Sequence, residues 1–198
     1  MKYYIKNAAF AFVYLIVMDV TALLITMIKT PAWQLVLSII AILFYLFVLF
    51  TIFSGEGARA LDIRHANDTQ RRRMIETGDV FDLKTAEEYK PYKGFIIGVI
   101  ICVPQILLLI IHLILGLITG GTANGAGGAA LIIYYLFYLP FGAMHTGALV
   151  FGEYFILLYS VAVISVAIGV AYILGAKKSQ RKYDLIERKH REIYGDKN

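Results

Sequence analysis

Four apolar runs, 8–28, 33–53, 94–118 and 150–175, each contain no more than one Asp, Glu, Lys or Arg. At 1.5 Å of rise per residue, about 20 residues of helix cross the ~30 Å hydrocarbon core of a bilayer, and every run reaches that length. Inside lipid the backbone must satisfy its own hydrogen bonds, so such runs fold as helices. Composition agrees: 59% of residues are hydrophobic and 17% charged, whereas soluble chains average about 45–50% and ~25%. The expected fold class is an all-α integral membrane protein. A single membrane domain over 1–198 leaves no room for an appended soluble catalytic domain.

The placement of Lys and Arg sets the expected orientation. Residues 54–93 and the tail 176–198 carry eight Lys or Arg each, and 119–149 carries none. Basic segments stay in the cytoplasm. With Lys2 and Lys6 also inside, the chain is expected to cross outward at 8–28, turn at Lys29 and Thr30, and return through 33–53. A cytoplasmic loop over 54–93 follows, then an outward span at 94–118 and an inward span at 150–175, leaving both termini cytoplasmic. Thr30 fits a helix N-cap and Pro31 a first helical residue. The first run continues through Leu23, Leu24, Ile25, Met27 and Ile28, too long for a secretory signal core, and is read as a retained span although Val20 and Ala22 imitate a cleavage site.

Segment 119–149 begins with an uncharged Gly-rich stretch and continues as LIIYYLFYLPFGAM, interrupted at Pro140 and Gly142. A full crossing there would put the basic tail outside. The preferred reading is therefore four transmembrane helices plus an external re-entrant or interfacial helix, with Tyr134, Tyr135 and Tyr138 at headgroup level; five transmembrane helices are the alternative. In the 54–93 loop, Thr85 and Glu88 predict a capping box opening a short helix that Pro91 ends. In the tail, Asp184 with Arg188 and Glu187 with Arg191 are spaced as i,i+4 pairs on a solvated helix. Lys177, Lys178, Arg181 and Lys182 form a basic collar beside the last span, so the net charge of +5 points to anionic lipid headgroups at the cytoplasmic face and not to nucleic acid.

Asp19 stands near the middle of the first span, where an ionisable side chain costs about 2.5–3.5 kcal/mol on insertion scales unless it is paired, hydrated or protonated. That cost makes it the foremost candidate for a functional role, with a hydrogen-bonded packing role as the alternative. On the third span Gln105 and His112 are two turns apart on one face, and Pro104 frees a carbonyl one turn earlier. His145 and Glu153 flank the outer end of the last span, and Ser160 lies deeper in it. Together Asp19, Gln105, His112, His145, Glu153 and Ser160 make a candidate intramembrane polar site. Gly94, Gly98 and Gly169 are candidate close-packing positions, and Pro104 and Pro140 candidate kinks.

The two histidines and two carboxylates match no dense metal-ligand spacing, and no P-loop, nucleophile elbow, HExxH or CxxC is present. Cys102 is the only cysteine, which excludes an internal disulfide. No catalytic, cofactor or metal role is assigned to any residue. The junction EEYKPYKGFIIGVIICVP and the ending AYILGAKK before a charged tail resemble small uncharacterised polytopic membrane proteins of Gram-positive bacteria. The resemblance covers the second half of the chain and implies a bacterial plasma membrane, with no activity or site residue attached. Function is expected in solute or ion transport through the polar site. The alternatives are an accessory or scaffold subunit of a larger membrane complex, or a homo-oligomer of the chain, and a membrane-embedded hydrolase using His112 with Asp19 or Glu153.

Overall fold

A computed structural model describes residues 2–119 and 153–195. Among these residues the regular structure is helical, with no strand: α1 (Lys2–Thr26), α2 (Pro31–Thr77), a 3-10 turn (Thr85–Glu87), α3 (Lys93–Thr119) and α4 (Glu153–Tyr194). Two of these helices, α2 over 32–77 and α4 over 161–193, are long and apolar enough to cross a membrane, which suggests membrane association.

The helix ends follow from local chemistry. The Met27 and Ile28 N–H groups donate to the Leu24 and Ile25 carbonyls at 3.3 and 3.1 Å, tightening the last turn of α1. Pro31, with no N–H to satisfy, takes the first position of α2, and Gln34 N–H makes an early bond to Thr30 O at 3.1 Å. No proline follows until Pro91, so nothing in the sequence stops α2 at the end of its apolar run. Residues 54–77, expected as part of a loop, continue the helix to a total of 47 residues. The stop is Gly78, whose φ of 74° and N–H bond to Met74 O at 3.0 Å make a left-handed C-terminal cap. Gly195 ends α4 in the same way, with φ 68° and a 2.9 Å bond to Arg191 O.

The expected capping box does not form. Lys84, not Thr85, precedes the turn, no side-chain cap is made, and the regular segment is three residues of 3-10 helix. The Glu88 carboxylate is instead drawn to Asn67 and Arg71 of α2. Of the two pairs expected in the tail, Glu187 and Arg191 meet at 2.8 Å, whereas Asp184 accepts from Gln180 Nε2 at 2.9 Å.

The chain forms two compact units, Met1–Val48 with Ile96–Val166, and Leu49–Phe95 with Ala167–Asn198. In the first, Ala8, Ala11, Leu15, Met18 and Ile25 form the buried stripe of α1, repeating at alternating steps of three and four as in a coiled-coil seam. Buried partners on the other helices of this unit include Ala41, Ile42 and Tyr45 of α2, Ile97, Ile101 and Cys102 of α3, and Ile164 of α4. In the second unit the core contains Leu49, Phe53, Ala60 and Leu61 of α2 with Ile168, Ala171, Tyr172 and Ala176 of α4. A Cβ at Gly57 would strike the Tyr172 carbonyl, and one at Gly175 the Ser54 carbonyl, so α2 and α4 cross backbone to backbone.

Candidate functional site

Asp19 lies on α1, Gln105 and His112 on α3, and Glu153 and Ser160 at the start of α4. The side chains of all five lie outside the described residues, as do Pro140, His145, Tyr134, Tyr135 and Tyr138 altogether. Pro104 is inside α3 and half-buried; its missing N–H leaves the Ile100 carbonyl without its helical donor. The small residues stand at close approaches. A Cβ on Gly94 would come within 3.0 Å of Gly169 Cα, and one on Gly98 within 2.6 Å of Ser165 Cα. Position 94 thus meets 169, and position 98 meets 165, so α3 and α4 run in opposite senses.

Among the described residues, polar side chains converge in two places in the second unit. One is where the connector after α2 folds back. The Glu88 carboxylate accepts from Asn67 Nδ2 at 2.7 Å and from an Arg71 nitrogen at 2.5 Å, while Arg71 also pairs with Asp68 at 2.8 Å. Asn67 is only 3% exposed, so the carboxylate supplies a partner that water cannot. Lys93, buried at the start of α3, donates from Nζ to the Ala86 and Glu88 carbonyls at 2.7 and 2.5 Å. Burial lowers its pKa, helped by Lys90 and opposed by Glu88 and Glu87. Tyr89 N–H donates to Ala60 O at 3.0 Å, and its ring stacks on Tyr172 with centroids 5.6 Å apart. Burial pushes the Tyr89 phenol up, with Arg64 opposing.

The other is a cleft of about 430 Å³ between α2 and α4, lined by residues including Thr51, Ser54, Asp62, Lys178, Lys182 and Tyr183. Ser179 Oγ donates to Asp62 Oδ1 at 2.7 Å. Burial first, and then the hydrogen bond to Asp62 and its negative charge, push the Tyr183 phenol up. His65 lies against the Tyr183 ring, centroids 4.4 Å apart, and 3.2 Å from Gln180 Oε1. Since 62 meets 179 and 65 meets 180 and 183, α2 and α4 run in the same sense here. Lys178 and Lys182 belong to the basic collar evident in the sequence. Asp62, Ser179 and Tyr183 were not, because their convergence requires α2 to continue past Phe53; the helical spacing of Ser54, Ala58 and Asp62 was the available signal.

Among the described residues no group of three or more His, Cys, Asp or Glu is arranged to hold a metal ion. No protein-family model, curated protein or solved structure matches the chain.

Proposed function

We propose that this chain is a multi-pass protein of a bacterial plasma membrane, with spans at 8–28, 33–53, 94–118 and 150–175 and both termini cytoplasmic, and that it serves as an accessory or scaffold subunit of a larger membrane complex. The observation that carries this reading is the braced pair α2 and α4. Both helices run in one sense from apolar into charged sequence and stay packed against each other beyond it, through Ser179 and Asp62 and through His65 and Tyr183. At 1.5 Å per residue, residues 54–77 extend about 36 Å along α2. A helical projection of this kind, with Ile75 of α2 and Leu185, Ile186 and Ile193 of α4 exposed on it, is built to meet a partner.

The helix senses also support the orientation. With α2 and α4 parallel and α3 opposed, the two segments bearing eight cationic residues each fall on one side of a bilayer, as the distribution of basic charge requires. A lone crossing by 129–149 would make α3 and α4 run the same way, so their opposed packing favours a re-entrant or interfacial helix over five spans. Purification of the full chain from native membranes in mild detergent tests the function. A stoichiometric membrane partner that is lost when Ile186 and Ile193 are both changed to Glu is the expected result. A chain that purifies alone, or with a partner indifferent to those changes, refutes the accessory role.

A second reading, solute or ion transport, rests on Asp19, a carboxyl within an otherwise apolar stretch of a 25-residue helix. Flux that survives Asp19→Asn unchanged would remove it.

A further inference from the structure

We propose that the cleft between α2 and α4 holds the headgroup of an anionic phospholipid, of the class in which the phosphodiester carries a hydroxylated alcohol. The inference rests on the reading that α2 and α4 leave the membrane together at this level, and it adds a defined ligand site to that reading.

Two rows of residues frame the cleft. On α4, Lys178, Lys182 and Ile186 line it at four-residue steps, each about 40° further round the helix, with Leu174 one step before Lys178. On α2, Ser54, Ala58 and Asp62 line it in the same way, with Phe50 one step before Ser54. On the membrane side of the cleft Phe50 and Leu174 are 41% and 45% exposed, and Lys178, Lys182 and Asp62 lie further along the two helices. Acyl chains lying on the first part would deliver a phosphate to the second, where Lys178 and Lys182 line the cleft. Neither lysine forms an ion pair among the described residues, so both charges remain for a ligand. The cleft has space because small residues, Gly55, Ala58 and Gly175, form part of its lining. A Cβ on Gly55 would meet nothing within 4 Å.

Charge selects the ligand class. Two lysines and Asp62 leave one net positive charge, which matches the single negative charge of a phosphodiester. A phosphomonoester carries about 1.5 to 2 negative charges at neutral pH and would meet uncompensated repulsion from Asp62. An ionised carboxylate offers about four acceptor positions. Ser179 takes one, so Asp62 keeps acceptor capacity for a hydroxyl on the ligand's alcohol. Basic pockets between membrane helices at the cytoplasmic boundary are established sites for anionic headgroups.

The test reconstitutes the full chain with equal amounts of phosphatidylglycerol and phosphatidylcholine, repurifies it, and counts retained lipid by native mass spectrometry. Phosphatidylglycerol is expected to be retained preferentially, with the preference falling about fivefold for each of Lys178→Gln and Lys182→Gln. Gly55→Leu fills the cleft without touching a charge and is expected to reduce the preference while circular dichroism stays unchanged. Equal retention of the two lipids, or an unaltered preference in all three variants, overturns the proposal. Soluble glycerophosphoglycerol that binds as tightly as the lipid overturns the lipid source. Carbonate extraction of native membranes separates the two layers of inference: release of the chain refutes the membrane reading itself, whereas retention without lipid preference refutes the cleft assignment alone.

Discussion

At the scale of single residues, two neighbouring glycines on α2 have opposite roles. Gly57 lies where a Cβ would meet the Tyr172 carbonyl, whereas Gly55 faces open space. Gly57→Ala must push α2 and α4 apart and is expected to cost about 1–3 kcal/mol; Gly55→Ala is expected to gain about 0.5–1 kcal/mol from helix propensity. Thermal unfolding of the two variants in detergent should move in opposite directions. Glu88→Ala strands the buried Asn67 amide and is expected to cost about 1–3 kcal/mol in the same assay. Tyr183 gives a pH signature. Its folded pKa is raised above the ordinary 10.0, so the neutral phenol contributes stability that is complete below pH 10 and is lost as pH rises through the folded value. Asp62→Asn removes a lesser cause of that shift. Tyrosinate absorbance is expected to show one phenol titrating earlier than in the parent chain, still above 10.0 because burial is the larger cause.

At the scale of elements, α2 and α4 differ in what holds their charged halves. The far half of α2 is fixed by the Glu88 contacts and the return of the connector, so breaking the helix there propagates. Arg72→Pro is expected to cost about 3 kcal/mol and to remove helical signal beyond one turn in circular dichroism. The end of α4 depends on local bonds. Its Glu187 and Arg191 side chains are 67% and 61% exposed, so Glu187→Ala is expected to change stability by less than about 0.5 kcal/mol. Much of the element pattern was legible in the sequence. Pro31 opens α2 because its missing N–H costs nothing in a first turn, and the apolar runs at 8–28, 33–53 and 94–118 lie within α1, α2 and α3 for most of their length. The capping box at Thr85 and Glu88 was legible and misleading. The same carboxylate that can cap a local turn can pair with a distant amide and guanidinium, and the distant pair won. The length of α2 was missed because charge ends a span but does not end a helix; Gly78 does.

At the scale of the whole molecule, orientation is the property that joins both readings, and the single cysteine makes it measurable. On a Cys102→Ala background, Glu76→Cys and Lys189→Cys are expected to react with a membrane-impermeant maleimide from the cytoplasmic side alone, and Thr30→Cys from the outside alone. Lys189→Cys labelling from outside would establish the five-span alternative. The sequence by itself determined that this chain is helical and where its basic residues fall, because apolar run length and charge placement act locally along the chain. Its candidate polar residues, Asp19, Gln105, His112, His145, Glu153 and Ser160, were legible as polar side chains within or beside apolar runs, a pattern read without reference to any neighbour. Only the tertiary structure decided that α2 and α4 run in the same sense past their apolar runs, and that Asp62, Ser179, Tyr183 and two lysines share one cleft. Asp62 stands 117 positions before Ser179, and what brings the two together is the backbone contact that glycine allows at 57 and 175.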